Sequence, residues 1–347
     1  MSISVIIKTL NEAKRLAATL ESVLIAIGPE DEVIVADSGS NDGTQAIARR
    51  FPVTLVEIGS GENPSCGLGP QLGYQHSRGD YICLMDGDML LDKDFLTRAV
   101  AFLEANPGMA GVTGRIVEMN MSSLEFARRA KRGGVEVDVG PVNRLNGGGL
   151  FRRAAIESVG YFSDANLHSY EEFELGLRLR QKGWTMQRLD IVFVQHFGHE
   201  VNAYVLLLRR WRSKYLFGVG EVLRGALGKA HWAAALTELR ELGLWGLVYL
   251  WWGAALATLL LLPDKLVALG LVLGSVVVMV GLLSFKKRSI SMGIYSVVAW
   301  FFHAAALPVG FLQRRRDPAR IIASSVSRPA DRADFACDAA AQAALNA

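Results

Sequence analysis

The apolar run Tyr81–Met85 ends in Asp86-Gly87-Asp88, two carboxylates separated by the smallest residue. In an open parallel sheet, ligands bind outside the carboxyl ends of the strands, so this turn is where chemistry is expected. Two carboxylates so spaced can approach one Mg2+ or Mn2+. These hard cations take oxygen ligands and share their coordination sphere with substrate phosphates, and one held here would neutralise charge on a diphosphate leaving group. The spacing alone also fits a solvated acidic turn.

Two further groups fall at comparable places. Asp37 ends the apolar run Glu32–Ala36 and opens Asp-Ser-Gly-Ser-Asn-Asp-Gly43, a series of Asx- and glycine-turn formers. Its carboxylate is placed to hydrogen-bond a base or a ribose, whereas Asp42 suits a helix cap. Glu171-Glu172-Phe173-Glu174 opens a helix. Acidic residues in a first turn can be dipole partners only. An attacking hydroxyl, however, needs a carboxylate to take its proton, and Glu171 or Glu172 suits that role. His196 and His199 follow the last expected strand, and nothing in the spacing fixes either as a ligand. The three cysteines, Cys66, Cys83 and Cys337, stand far apart with no CxxC pair. That excludes a disulfide framework or a structural zinc site.

The elements that must position these residues follow from periodicity. Ser4–Ile7 reads as a buried strand, and Leu16, Leu20, Val23, Leu24 and Ile27 as one face of a helix closed by Gly28-Pro29. Strands are expected at Glu32–Ala36, Val53–Ile58, Tyr81–Met85, Gly111–Val117 and Val192–Val194. Helices are expected at Thr44–Phe51, around Pro70–Ser77, and at Asp94–Ala105, Ala154–Val159 and Glu171–Lys182, the last capped by Gly183. Gly59–Gly69 is a glycine-rich loop, and the basic stretch Ser122–Val142 has no assignment. Alternating strands and helices imply an α/β domain, a mostly parallel sheet flanked by helices.

Composition then changes. Up to about Ala230 the 347-residue chain mixes charged and apolar residues, but from Leu242 to Leu312 it is dominated by Leu, Val, Ala, Gly and Trp. The uncharged runs Leu242–Leu262, Leu266–Phe285 and Ile290–Leu312 are each long enough to cross a hydrocarbon core of about 30 Å. Before them, Ala203–Leu223 mixes Leu and Trp with Arg209, Arg210, Arg212 and Lys214, as helices lying in a membrane surface do. The N-terminus lacks the basic flank and long apolar core of a signal peptide, so the first domain is expected in the cytoplasm. Lys286-Lys287-Arg288 agrees with that side. Arg314-Arg315-Arg316 prefers it too, which conflicts with three full crossings; either the third run crosses and the basic tail is translocated, or that run, carrying His303 and Pro308, is re-entrant or interfacial. The expected organisation is 1–201 catalytic, 202–240 interfacial helices, 241–313 membrane region of two to three helices, and 314–347 a disordered tail. The net charge of +3 is too small to argue for or against a polyanionic partner.

Together VIIKTLNE, VIVADSGSNDGT, DGD, NGGGLFRR and HSYEEFELGLRLRQKGW resemble, in order, the motifs of the family 2 glycosyltransferases, over roughly Ser2–Val201. The resemblance implies the nucleotide-sugar transferase fold called GT-A and an inverting transfer, with no nucleic-acid partner. It implies a nucleotide-sugar donor contacted by Thr9, Asn11, Glu12, Asp37 and Asp86, and Mg2+ or Mn2+ held by Asp88 and Asp86. It puts Gly148 and Gly149 on the acceptor side and the catalytic base on Glu172, with Glu171 as the other candidate, since Glu stands where the family has Asp. Lys8 and Leu10 replace a common Pro and Tyr. Arg210-Trp211 resembles the end of the QxxRW motif of processive synthases, but Leu207 replaces its Gln, which favours adding one sugar. The basic helix would then hold a diphosphate or lipid phosphate. The expected acceptor is lipid-linked or a glycan, at the cytoplasmic face of a cell (inner) membrane among its lipids. The alternatives are a polyprenyl-phosphate acceptor, or a nucleotide-binding membrane protein without turnover.

Overall fold

The computed structural model describes residues 1–119, 138–197 and 202–328. His199, most of the basic stretch from Ser122 and the tail beyond 328 lie outside them. The chain divides into two compact units, Met1–Glu200 with Arg316–Ala347, and Val201–Arg315.

In the first unit, strand β1 (Ile3–Thr9) leads through α1 (Leu16–Ala26) to β2 (Glu32–Asp37), then α2 (Thr44–Ala48), β3 (Thr54–Ile58), α3 (Leu68–Tyr74) and β4 (Tyr81–Asp86). After these come β5 (Met89–Leu91), α4 (Phe95–Ala105), β6 (Met109–Glu118), β7 (Gly140–Pro141), β8 (Gly149–Arg152), α5 (Arg153–Glu157), α6 (Glu171–Gln181) and β9 (Thr185–His196). The sheet order is β10-β3-β2-β1-β4-β8-β6-β9-β5, where β10 is Ser324–Ser327, with β7 paired to β9.

The parallel half, β3-β2-β1-β4, is the one that periodicity predicts. Its strands alternate sides as a period of two requires: Val5, Ile7, Val35, Cys83 and Met85 face one core, and Ile6, Ile34, Ala36, Ile82 and Leu84 the other. Beyond β4 the sheet is mixed, because β8 inserts antiparallel between β4 and β6. The glycines of Asn146-Gly-Gly-Gly149 allow that insertion. A Cβ on Gly148 would lie 2.0 Å from the Leu84 carbonyl oxygen, and one on Gly149 2.6 Å from that of Val112.

The tail expectation needs correction. Residues Asp317–Arg328 are ordered against the first unit, and β10 adds an antiparallel edge strand to β3. Arg316 and Arg320 both pair with Glu62, Asn166 exchanges two hydrogen bonds with the Arg316 backbone, and Ile322 is buried in the core. The polar composition of this tail hides one buried isoleucine and two well-placed arginines.

In the second unit, α7 (Ala203–Arg212), α8 (Gly218–Ala226) and α9 (Trp232–Glu238) precede three long helices, α10 (Glu241–Leu261), α11 (Lys265–Lys287) and α12 (Ile290–Phe311). These three are long and apolar enough to cross a membrane. Only part of the expected interfacial segment looks outward. Helix α7 buries just Leu207, whereas α8 is buried along nearly its whole length. Asp264 caps α11 through the backbone N–H groups of Leu266 and Val267, fixing the tight turn after α10.

Candidate active site

The carboxyl ends of β1, β2 and β4 deliver Lys8, Thr9, Asp37 and Asp86 side by side, because register pairs Thr9 with Asp37 and Lys8 with Asp86. The two loops above β1 and β2 are stitched together. The Asn11 backbone N–H donates to the Ser40 hydroxyl (2.8 Å), Asn41 N–H to the Asn11 side-chain oxygen (2.9 Å), and Glu12 N–H to Thr44 Oγ1 (2.8 Å). Asn11 takes the left-handed conformation, φ 61°, that Asn tolerates better than most residues. Asp42 accepts from the Thr44 and Ala13 backbone N–H groups just before α2, whose N-cap is Gly43 and not Asp42.

Asp37 is fully buried, and its carboxylate is spent on its own turn. It accepts from Thr9 Oγ1, the Gly39 and Ser40 backbone N–H groups, the Ser40 hydroxyl and Gln45 Nε2. A carboxylate offers about four lone-pair sites, so in this structure Asp37 shapes the cradle and leaves Asn11, Ser40 and Asn41 at its rim.

The Asp86-Gly87-Asp88 turn is pinned from two sides: Gly87 N–H donates to the Lys8 carbonyl (3.1 Å) and the Gly87 carbonyl accepts from Thr19 Oγ1 (2.9 Å). Only glycine fits between them, since a Cβ there would meet Thr9 Cγ2 at 2.9 Å and Glu12 Cγ at 3.0 Å. Glu12 therefore lies against both aspartates. Burial, then the charges of Asp88, Asp86 and Asp42, push its carboxyl up to about 8. Asp88 is buried and faces His196, whose Nε2 is 3.4 Å from Oδ2, while His196 Nδ1 lies 2.9 Å from Glu118. Burial alone would lower the imidazole, but Asp88 and Glu118 outweigh it and push it up to about 10.

Lys8 binds the turn to the acidic helix. Its Nζ is 3.0 Å from Asp86 Oδ1 and 3.3 Å from Glu171 Oε1. Burial opposes its charge, but Asp86, Glu171 and Glu172 hold it protonated well above the usual lysine range. Glu172 accepts a 2.8 Å hydrogen bond from the Gly147 backbone N–H, and burial followed by the Glu171 charge pushes its carboxyl up to about 8. The Cys66 thiol is in the same field, and burial and then Glu171 keep it protonated. Glu174, by contrast, is structural: it receives hydrogen bonds from Tyr161 Oη at 2.7 Å and Arg178 Nε at 2.9 Å.

Thr9, Asn11, Glu12, Asp86, Asp88, Glu171 and Glu172 are thus gathered at one end of the sheet. Gly148 and Gly149 serve strand packing, and Gly147 is the glycine that touches Glu172. Arg210 and Trp211 belong to the second unit, where Trp211 packs edge-on to Phe217 and Phe302 and Arg210 lies over Tyr215. Sequence reading named Lys8 only as a departure from a common Pro and gave it no role, although a lone charge near the end of an otherwise apolar strand is a usable signal. It also missed Glu118, which pairs in register with His196.

The residues fit a divalent metal by the chemistry of the donors: burial, then the charges of Asp88 and Asp86, makes Glu12 favour its proton, a place a cation can take. Among the described residues no three His, Cys, Asp or Glu form a ready-made cage. Mg2+-type sites are usually completed by substrate phosphates in the same way.

Residues 4–160 match the model of glycosyl transferase family 2. The poly-beta-1,6-N-acetyl-D-glucosamine synthase of Staphylococcus epidermidis is 27% identical over 175 residues, 46% of this chain and 42% of that protein. The succinoglycan biosynthesis protein ExoA of Rhizobium meliloti is 27% identical over 200 residues, 54% of this chain and 60% of its own. The chain thus spans less than two thirds of these relatives. A mannosyltransferase from Pyrobaculum calidifontis, PcManGT, solved with GDP-Man and Mn2+, superposes with a TM-score of 0.56 at 21% identity, covering 89% of this chain and 86% of that one. At that identity the likeness establishes the GT-A fold.

Proposed function

We propose that this chain, a glycosyltransferase carrying a family 2 domain of GT-A fold, moves one sugar with inversion from a nucleoside-diphosphate sugar to a lipid-linked or glycan acceptor at the cytoplasmic face of a membrane. The observation that carries the reading is the Lys8 ammonium between Asp86 and Glu171, which joins the aspartate turn and the acidic helix at one point.

Glu172 is the base. It takes the proton of the acceptor hydroxyl as that oxygen attacks the anomeric carbon from the face opposite the departing diphosphate. Its raised pKa lies near neutrality, where a general base works best, and the Gly147 N–H fixes its orientation. Glu171, tied to Lys8, keeps Glu172 basic by its negative charge. Thr9, Asn11 and Glu12 line the nucleotide cradle that Asp37 braces. Asp88 with Asp86 would hold Mg2+ or Mn2+, which when bound supplies Lewis-acid stabilisation of the leaving diphosphate. The relatives named for poly-N-acetylglucosamine and succinoglycan synthesis favour a glycan product.

The test is release of nucleoside diphosphate from UDP-, GDP- and dTDP-sugars by the detergent-purified chain with Mn2+ or Mg2+, with and without membrane lipid extract. Turnover of one donor, lost with EDTA and in Asp88→Ala, is expected. Binding of a donor with no release under any acceptor condition would overturn the transferase reading. Turnover that survives Glu171→Gln/Glu172→Gln would instead assign a phosphate acceptor, which needs no strong base.

A further inference from the structure

Three helices can cross a membrane, yet the chain on either side of them belongs to one folded unit. Residues 324–327 form β10 in register with β3, with Ser325 opposite Glu57. The Gly59 N–H donates to the Ala323 carbonyl at 2.7 Å, and the Gln75 side chain exchanges hydrogen bonds with the Ile322 backbone at 2.8 and 3.0 Å. A strand cannot pair with its sheet through a bilayer. Residues 197 and 316 must therefore lie on the same side, and the number of crossings between them must be even. The short helices α7, α8 and α9 have 10, 9 and 7 residues, about half or less of the ~20 needed to span. The parity therefore falls on α10, α11 and α12.

We infer that the chain crosses the membrane twice, as an α10–α11 hairpin, and that α12 lies in the interface on the side of the catalytic unit without crossing. Two independent observations select α12. The first is charge. With α10 and α11 crossing, Lys286-Lys287-Arg288, Arg314-Arg315-Arg316 and the basic face of α7 all stay on one side, as the positive-inside rule asks. If α11 and α12 crossed instead, the cluster at 286–288 would face away from the other two.

The second is what α12 packs on. Tyr295 meets Tyr204 of α7, Phe302 meets Trp211, and a Cβ on Gly310 would lie 2.1 Å from the carbonyl of Phe217, the residue just before α8. Arg224 of α8 lies over Phe311. Helix α12 is thus flanked by short helices carrying Arg209, Arg210, Arg212, Glu221 and Arg224. A full crossing would draw those charges into hydrocarbon, where an unpaired charge is strongly disfavoured. Burial agrees: 33% of the α12 span is buried within the protein, against 11% for α10 and 6% for α11. Helix α12 meets α10 through Trp245, Tyr249, Trp251 and Trp252 of that helix.

The test uses the full chain in a bacterial inner membrane. A fluorescent protein that matures only in the cytoplasm, or alkaline phosphatase that is active only outside it, is fused after Ala347. Asp264→Cys and Arg288→Cys are labelled separately with a membrane-impermeant maleimide, using the parent chain with its own three cysteines as blank. The expected result is a fluorescent, phosphatase-silent C-terminus, Cys at 264 labelled from outside, and Cys at 288 labelled only after permeabilisation. An active phosphatase would mean three crossings and overturn the inference. So would a position 264 that labels only after permeabilisation, since the helices would then not cross. The premise has its own check: Glu57→Cys with Ser325→Cys should cross-link in isolated membranes on oxidation, and failure to do so would remove the parity argument.

Discussion

Lys8 and Asp86 are register partners on adjacent parallel strands, and the ammonium of one lies 3.0 Å from a carboxylate oxygen of the other. Lys8 is also 3.3 Å from Glu171, so one cation neutralises part of a cluster that otherwise holds Glu12, Asp86, Asp88, Glu171 and Glu172. Removing it by Lys8→Met leaves two partly buried carboxylates facing each other. Breaking a buried pair costs about 3–5 kcal/mol; Asp86 keeps 34% of its side chain exposed, so roughly 2 kcal/mol is expected in denaturant unfolding. The double variant Lys8→Met/Asp86→Asn should recover most of that stability and none of the turnover. Recovery of both would make Lys8 a purely structural cation.

The two acidic residues that open α6 should separate by pH profile. Glu172 works as a carboxylate, and its pKa is raised to about 8. The kcat/KM of the free enzyme should therefore climb with pH along an acid limb centred near 8, and Glu172→Gln should lose about 10²–10⁴-fold in rate. The Glu171 charge is the largest electrostatic contribution to that elevation. Glu171→Gln should keep measurable turnover and move the limb to lower pH. An unshifted limb in Glu171→Gln, or an active Glu172→Gln, would reverse the assignment.

Much of this site is legible in the sequence where local chemistry suffices. Asp86-Gly87-Asp88 announces itself because an apolar strand ends in it, and the run from Asp37 to Gly43 because its residues form turns. The role of Asp37 is not legible: whether a carboxylate faces a ligand or its own turn depends on Thr9 and Gln45, which reach it from other elements. The same holds for Lys8, whose partners come from β4 and α6. Strand β8 was hidden because Gly149–Arg152 is too short for a periodic signal, and its pairing is set by the backbone approach that Gly148 and Gly149 permit. Strand β10 was hidden because Ser-Ser-Val-Ser reads as a linker until Arg316, Arg320 and Ile322 find Glu62 and the core.

Carboxyls raised by burial and then by neighbouring carboxylates make stability fall with pH. The folded pKa of Glu12, about 8, exceeds its ordinary value of 4.5, so the folded state keeps a proton that the unfolded chain releases. That contribution is complete below pH 4.5 and is lost as pH rises through 8. Thermal melting between pH 5 and 9 should show a declining Tm. Glu12→Gln should match the parent at pH 5, exceed it above pH 8 and flatten the slope only partly, because Glu172 titrates in the same sense. Added Mn2+ should also raise the Tm chiefly at high pH. A parent Tm that is flat across this range would refute the raised carboxyls.

The glycines before β8 should divide into packing and function. Gly148 has φ +95°, and a Cβ there would sit 2.0 Å from the Leu84 carbonyl oxygen, an atom of the central strand β4 that cannot move aside. Gly148→Ala combines left-handed strain of about 1–2 kcal/mol with a backbone clash, so a loss of about 4 kcal/mol or failure to fold is expected. Gly61, at φ +85° with open space around it, supplies the control: Gly61→Ala should lose about 1–2 kcal/mol, the strain alone. Gly147 lies between them. Its Cβ would meet Ile116 Cδ1 at 2.6 Å, the far end of a side chain that can rotate away, and its N–H is the donor to Glu172. Gly147→Ala should therefore fold, melt a few degrees lower, and lose about tenfold or more in kcat with little change in donor KM, as expected when only the base is misaligned. Equal kcat in Gly147→Ala and Gly61→Ala would mean that the Gly147 hydrogen bond does nothing to position Glu172.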